Sequence, residues 1–198
     1  MKETREHILK TSCGLFLKKS YKEVTLQEIV EVTGMSKGAF YHHFKNKEQI
    51  FLEIVEDIYR TVVDLDYGRL RSTSLQDFYG DYLAVLERTY KSLFSRGVFT
   101  SFDLNVYSLI FDAMRFFPDF REKMGASSAR ELKAWKAAVK AARERGEISS
   151  PMSDSQIAEI FIHTSSGVGM GNMMAGRNEE TVKSLRALWS GFYAALSG

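Results

Sequence analysis

The hydrophobic residues of this chain recur with a helical period along almost its whole length, and this pattern constrains the fold most. No run with the alternating period of a strand is bounded by turn residues. Only 2 of the 198 residues are proline, and proline interrupts helices. We therefore predict an all-α fold of about nine helices, beginning with three short ones.

Turn residues divide the later part of the chain into longer helices. Arg96 and Gly97 should end one helix, and Pro118 should stop the next, with a short continuation to Met124. Ser128 to Glu131 matches a capping box, in which a hydroxyl and a carboxylate satisfy amides at a helix start. The pattern predicts that a new helix begins there.

Composition places the chain among ordinary globular proteins, with 44% hydrophobic and 26% charged residues. A single cysteine, Cys13, excludes an intramolecular disulfide and a multi-cysteine zinc site, and it lies on the core stripe of the first helix as a small buried hydrophobe. No signal segment or long apolar run is visible, so we expect no membrane contact and a cytoplasmic location.

Positive charge is concentrated near the N-terminus. The net charge is +2, and residues 1–50 hold nine Lys and Arg against six Asp and Glu. A mildly basic end can mark a surface that binds a polyanion, although the bias is weak evidence alone.

Two short capped helices joined by a tight turn lie between Thr25 and Lys47. Thr25 and Glu28 match a capping box. Gly34 suits the left-handed position that ends a helix, and Ser36 is the next N-cap. The spacing predicts a helix-turn-helix, whose second helix enters the major groove in DNA-binding proteins.

The second helix of this motif has an apolar face and a polar face. Phe40 and Phe44, four residues apart, bury one side. Lys37 can reach guanine acceptors, and Lys47 opens the next helix, where free amides favour a phosphate. The polar side also offers a glycine for close approach and donors for phosphate oxygens. Its residues are Gly38, Tyr41, His42 and Lys45.

Other interpretations of these residues remain open. A helix-turn-helix also occurs in proteins that never contact DNA, and exposed charges are usually only solvated. His42 and His43 do not predict a metal site, because neighbours on a helix point about 100° apart and no suitable third ligand follows. No nucleophile–base pair or cofactor loop is visible, so we expect neither an enzyme nor a cofactor.

The segment from Thr33 to Glu48, TGMSKGAFYHHFKNKE, resembles the signature of TetR-family transcriptional regulators. Thr25–Ile29, Phe16 and Thr4–Leu9 precede it at that family's spacing. The resemblance covers about the first 50 residues, and the remainder is similar only in helix count and length. The departures from the usual residues are small: Ser20, Val30, Thr33, Met35 and Phe40.

The resemblance implies DNA-contact roles by position. Two helix N-termini would bind phosphates, four residues would face base edges, and two would hold the backbone. In that order they are Thr25 and Lys47; Gln27, Lys37, Gly38 and Ala39; and Tyr41 and His42, with Ser36 as the N-cap among them.

The resemblance also implies two domains. A three-helix helix-turn-helix DNA-binding domain (1–46) would join a larger helical ligand-binding and dimerisation domain (47–198). The middle helices of the latter are rich in aromatic residues and methionine, with few ionisable groups. Because burying an unpaired charge is costly, we expect a small, largely apolar effector. Candidate lining residues are Tyr82, Tyr107, Phe111 and Met114.

Three alternate glycines stand in the penultimate helix, each costing about 1 kcal/mol relative to alanine. Close helix crossing would justify them, and in the family the last two helices form a four-helix dimer interface. The alternative is that the glycines admit a helix of the same chain, or a ligand. The predicted dimer residues are Gly167, Gly169, Gly171, Leu185, Leu188, Trp189 and Phe192.

We therefore predict a homodimeric transcriptional repressor that binds a palindromic double-stranded DNA operator and is released by a small ligand. An activator, or a regulator controlled by a protein partner, is the alternative. An all-helical enzyme is a remote one.

Overall fold

The computed structural model describes residues 2–95 and 104–197 of the chain. The described residues form nine α-helices, two short 3-10 turns and no strand, which confirms the predicted all-α fold. The helices are α1 (Lys2–Phe16), α2 (Leu26–Thr33), α3 (Lys37–His43), α4 (Lys47–Val62), α5 (Leu75–Ser95), α6 (Leu104–Phe116), α7 (Pro118–Glu144), α8 (Asp154–Met174) and α9 (Thr181–Ser197). The helix end predicted at Arg96 and Gly97 lies outside the described residues.

Local signals place most helix ends correctly. Gly34 follows α2 and Gly146 follows α7 with φ of 67° and 70°, left-handed values that other residues rarely adopt. Ser153 and Gln156 form a complete capping box at the start of α8. These ends depend on a few neighbouring residues, which is why the sequence shows them.

The helix predicted to start at Ser128 is wrong, because α7 runs unbroken from Pro118 to Glu144. Pro118 occupies the first position of α7, where a missing amide hydrogen costs nothing. The Ser128 hydroxyl donates to the carbonyl of Met124 at 3.2 Å inside the helix. Glu131 contacts Tyr82 and is therefore free of the capping role.

The chain divides into two compact units. Unit 1 consists of residues 1–64 and 93–123, and unit 2 of residues 65–92 and 124–198. The division falls within α5 and α7, after Ser92 and Lys123. It describes packing, so the predicted functional boundary between residues 46 and 47 stays a prediction.

In unit 1, α1 packs against α2 and α4, and α6 packs against α4. Arg5 of α1 binds the Glu53 carboxylate of α4 with both terminal nitrogens. Its guanidinium also lies 4.7 Å from the centre of the Phe44 ring. These contacts tie α1 to the end of the helix-turn-helix and to α4.

Unit 2 is built around an aromatic core, and α8 packs against α9. The Trp135 ring stacks on Phe161 at 4.9 Å, and Trp189 packs edge-on against Trp135 at 5.4 Å. The Trp189 indole donates to Thr164 Oγ1 at 2.8 Å, which satisfies its buried N–H. Within the described residues no helix is long and apolar enough to cross a bilayer.

Candidate nucleic-acid interface

Three helix N-termini of unit 1 are capped by side chains. The Thr25 hydroxyl accepts the Glu28 amide at 3.2 Å, and the Ser36 hydroxyl accepts the Ala39 amide at 3.3 Å. Asn46 accepts the Gln49 amide at 2.8 Å at the start of α4. The caps fix where α2, α3 and α4 begin, and the remaining first-turn amides are groups that favour an anion.

The predicted capping box at α2 forms only in part. Thr25 supplies its half, but Glu28 accepts a hydrogen bond from Lys19 Nζ at 2.6 Å. The Lys19 ammonium lowers the pKa of Glu28. Sequence spacing could not show this, because Lys19 lies on the preceding segment.

Helix α3 presents a polar face to solvent. Phe40 is fully buried, whereas Tyr41 is half exposed. A Cβ added at Gly38 would meet no atom within 4 Å, so nothing in the chain itself requires glycine there. The exposed residues of α3 and its cap include six of the predicted DNA contacts: Ser36, Lys37, Gly38, Ala39, Tyr41 and His42.

Two more predicted contacts, Thr25 and Gln27, are exposed at the start of α2. Gln27 Nε2 donates to Glu31 Oε1 at 3.0 Å, a pairing one helical turn apart. Its amide is thus held in an exposed position on α2. A base contact would have to replace this intrahelical bond.

Lys47, predicted to bind phosphate, has its ammonium engaged inside unit 1. Its Nζ donates to the carbonyls of Tyr21 at 2.8 Å and Val24 at 2.7 Å. The ammonium also lies 4.5 Å from the centre of the Tyr21 ring, and burial lowers the pKa of Lys47. The side chain therefore holds the loop between α1 and α2 against the start of α4. A phosphate role for Lys47 remains a prediction, with its backbone amide as the group available at the helix start.

The same loop contacts α6 through a residue that the sequence did not reveal. The Tyr21 amide donates to Asp112 Oδ2 at 2.7 Å. Nothing in the pattern around Asp112 distinguishes it from other polar residues of an amphipathic helix. The contact spans 91 residues of sequence and follows only from the packing of α6.

Aromatic rings surround this contact within unit 1. The Tyr21 ring lies 4.7 Å from Phe51, 5.7 Å from Phe116 and 5.2 Å from Phe117, between ring centres. Such pairs contribute about 0.5–1.5 kcal/mol each beyond simple burial. The loop that precedes α2 is therefore fixed from α4, α6 and the start of α7.

The predicted ligand-lining residues fall into different units. Tyr82 is buried in the core of unit 2, while Tyr107, Phe111 and Met114 lie on α6 in unit 1. The Tyr107 and Phe111 rings are 6.3 Å apart, and Phe111 is 56% exposed. Burial raises the pKa of Tyr107. A shared pocket of these four residues stays a prediction.

Two of the predicted dimer residues need correction. Leu185 and Trp189 are 0% and 1% exposed within a single chain, so their side chains have no surface for a partner. Leu188 is 52% exposed, and Phe192 is half-buried against Phe161. The apolar stripe of α9 thus divides between the core and solvent.

The three glycines of α8 point in different directions. A Cβ added at Gly169 would lie 3.9 Å from the Tyr90 hydroxyl, so this glycine faces α5 within unit 2. A Cβ at Gly167 or Gly171 would meet no atom within 4 Å. Gly167 and Gly171 are both exposed and are one turn apart, so they share a face. Packing within the described residues does not account for these two glycines.

No group of three or more His, Cys, Asp or Glu in the described part of the chain could hold a metal ion. The exposed face of α3, with the capped ends of α2 and α4, is the candidate site. Its donors are amides, a phenol, an imidazole and ammonium groups, which suit phosphate oxygens and base edges.

Comparison with known proteins connects this site with a family. Residues 8–54 match the model of the tetR family of bacterial regulatory proteins. The uncharacterised HTH-type transcriptional regulator YerO of Bacillus subtilis (strain 168) is 52% identical over 56 residues, covering 28% of this chain and 19% of that protein. The HTH-type transcriptional regulator AcrR of Shigella flexneri is 37% identical over 84 residues, covering 42% of this chain and 37% of that protein. The matched segment thus spans well under half the length of these two relatives.

The fold has a wider likeness. The crystal structure of a regulator from Saccharomonospora viridis, in complex with choline, matches with a TM-score of 0.63 and 16% identity. It covers 97% of this chain and 96% of that one. The relatives named here are regulators and not enzymes. The helix-turn-helix segment, found in the expected fold, places this chain in the tetR family of bacterial regulatory proteins.

Proposed function

We propose that the chain is a sequence-specific DNA-binding transcriptional regulator that acts as a homodimeric repressor in the cytoplasm. The exposed polar face of α3, behind which Phe40 is fully buried, carries this proposal. Lys37, Gly38 and Ala39 stand at the start of α3, where a helix in the major groove contacts base edges. A repressor of this kind would act by covering its operator.

Selection of bound duplexes from a random pool tests DNA binding directly. We expect one palindromic family of sequences, with an affinity that falls steeply between low and physiological salt because phosphate contacts release counterions. Failure to select a duplex, or an affinity independent of salt, would contradict the proposal. Transcription from a promoter carrying the selected site separates a repressor from an activator.

Single substitutions test the roles within the site. Lys37→Ala and Gln27→Ala should relax preference at particular base pairs by about 1–3 kcal/mol per lost contact. Tyr41→Phe should weaken all duplexes equally, since phosphates carry no sequence information. Lys140→Ala, at an exposed position of α7, is the matched control and should change neither. Uniform losses for Lys37 and Gln27 would reassign them to the backbone.

For the dimer, we propose a second copy of the chain packed on α8 and α9. The surface combines exposed Gly167, Gly171 and Met174 on α8 with Leu188 on α9. Met174 and Leu188 are 71% and 52% exposed, and apolar surface of this kind gains free energy when it is covered. Small residues on the facing helix allow close approach, and a two-fold dimer would present two α3 helices to a palindrome.

We also propose that a small-molecule effector releases the operator. The choline complex of the Saccharomonospora viridis regulator supports the idea that this fold can hold a small ligand. The effector must bind the released state more tightly, so operator DNA must weaken effector binding by the same factor. A ligand that binds equally with and without DNA would contradict control by that ligand.

A further inference from the structure

Glu131 is a partly buried carboxylate that the DNA-binding role does not use. It lies on α7 in unit 2 and retains part of its surface. The Tyr82 hydroxyl of α5 donates to its Oε1 at 3.4 Å, and the Tyr67 hydroxyl also hydrogen-bonds to it. Two phenols thus orient an acidic group that no ammonium or guanidinium of a printed ion pair neutralises within the described residues.

The surroundings of Glu131 are aromatic. The Tyr82 ring lies 5.4 Å from Trp135 and 5.6 Å from Trp189, between ring centres. Burial in this environment raises the pKa of Glu131, and the nearby charge of His163 on α8 opposes that rise. A carboxylate in such a place is stabilised by any cation that reaches it.

Trp135 supplies an independent sign of an unmet polar demand. It follows Glu131 by one helical turn on the same side of α7. Its Nε1 is buried and, among the described residues, has no hydrogen-bond acceptor. An unpaired buried donor costs about 1–3 kcal/mol. The core of unit 2 beside Glu131 is thus not satisfied by its own side chains.

We propose that Glu131 and the rings beside it bind a small organic cation, of the alkylammonium class, as the effector of this regulator. The carboxylate supplies the opposite charge, and the faces of Tyr82 and Trp135 attract a desolvated cation. The inference deepens the proposed function, because it names the class of ligand that would control DNA binding. It differs from the apolar effector that composition predicted, since composition does not show that Glu131 faces inward.

The test uses calorimetric titration of the full-length protein with two probes of equal shape. Choline carries the charge, and its carbon isostere dimethylbutanol is neutral. We expect choline to bind roughly tenfold more tightly than dimethylbutanol. Glu131→Gln should remove most of this preference, and Glu144→Gln, at an exposed position of the same helix, should keep it. Equal affinity of the two probes, no binding of choline, or an unchanged preference in Glu131→Gln would overturn the proposal.

The experiment separates this inference from the proposed function. The probe comparison on the wild-type protein needs no DNA, so it decides the ligand class even if no duplex is selected or if Glu131→Gln does not fold. Duplex binding measured alongside decides the DNA-binding role. A protein that binds its selected duplex but shows no preference for choline keeps its function and loses only the cation site.

Discussion

Lys47 illustrates how a single residue can serve a binding surface without touching its ligand. Its ammonium contacts two loop carbonyls and the Tyr21 ring, so it positions the segment that leads into Thr25. Sequence position alone predicted a phosphate contact. The spacing of residues cannot show that the carbonyls of a distant loop lie within reach.

Replacing Lys47 with methionine separates the two roles. Because buried carbonyls would lose a charged donor, we expect Lys47→Met to lower the free energy of unfolding by about 1–3 kcal/mol and to weaken all duplexes together. Urea unfolding and duplex titration measure these effects. Lys45→Met, at an exposed position two residues earlier, is the control for lost charge. Unchanged stability with weaker DNA binding would instead make the ammonium a phosphate ligand.

Cys13 behaves as the buried hydrophobe that the sequence predicted. It is 2% exposed, and burial raises the pKa of its thiol to about 12. The thiolate is the reactive form. We therefore expect almost no reaction of the native protein with a disulfide reagent at pH 8, and one thiol per chain after unfolding in urea. Rapid stoichiometric labelling of the native protein would contradict this placement of Cys13.

At the scale of helices, local signals predicted beginnings and ends well but failed inside α7. The caps at Ser36 and Ser153 work because all their partners lie within one turn. The pattern from Ser128 to Glu131 has the same form, yet it lies in mid-helix. Glu131 was therefore taken for a capping residue, which hid its place in the core of unit 2.

Helix α6 holds the loop before α2 by one hydrogen bond, which makes Asp112 a test of that connection. Asp112→Ala removes the acceptor of the Tyr21 amide, so we expect a loss of about 1–2 kcal/mol in unfolding free energy and weaker binding to the selected duplex. Asp112→Asn keeps a carbonyl acceptor and should lose less. Chemical denaturation and duplex titration give both values. Equal effects of the two substitutions would show that the acceptor has no such role.

At the scale of the whole molecule, the sequence predicted the helices but not the directions of their faces. Leu185, Leu188 and Trp189 form one apolar stripe by periodicity, yet only Leu188 is exposed. Gly167 and Gly169 likewise differ in what they face. The predicted all-α fold and exposed α3 depend on local pattern, whereas core and surface depend on which elements pack together.

The two glycines give a matched pair for the dimer. A leucine at the open Gly167 position should fold normally but overpack the contact with a second copy, and sedimentation should then show a monomer. A leucine at Gly169 would press on Tyr90, so we expect it to lower stability within the chain. A stable dimer of Gly167→Leu would place the interface elsewhere.

The loop contacts of Lys47 have a consequence for how the sequence can vary. Carbonyl oxygens are present in every residue, so this anchoring is indifferent to the side chains of the carbonyl donors. A library of variants should therefore tolerate many residues at Lys22, whose own carbonyl lies 3.4 Å from the ammonium, and very few at position 47. The geometry of the DNA-facing surface can be retained while the loop behind it drifts.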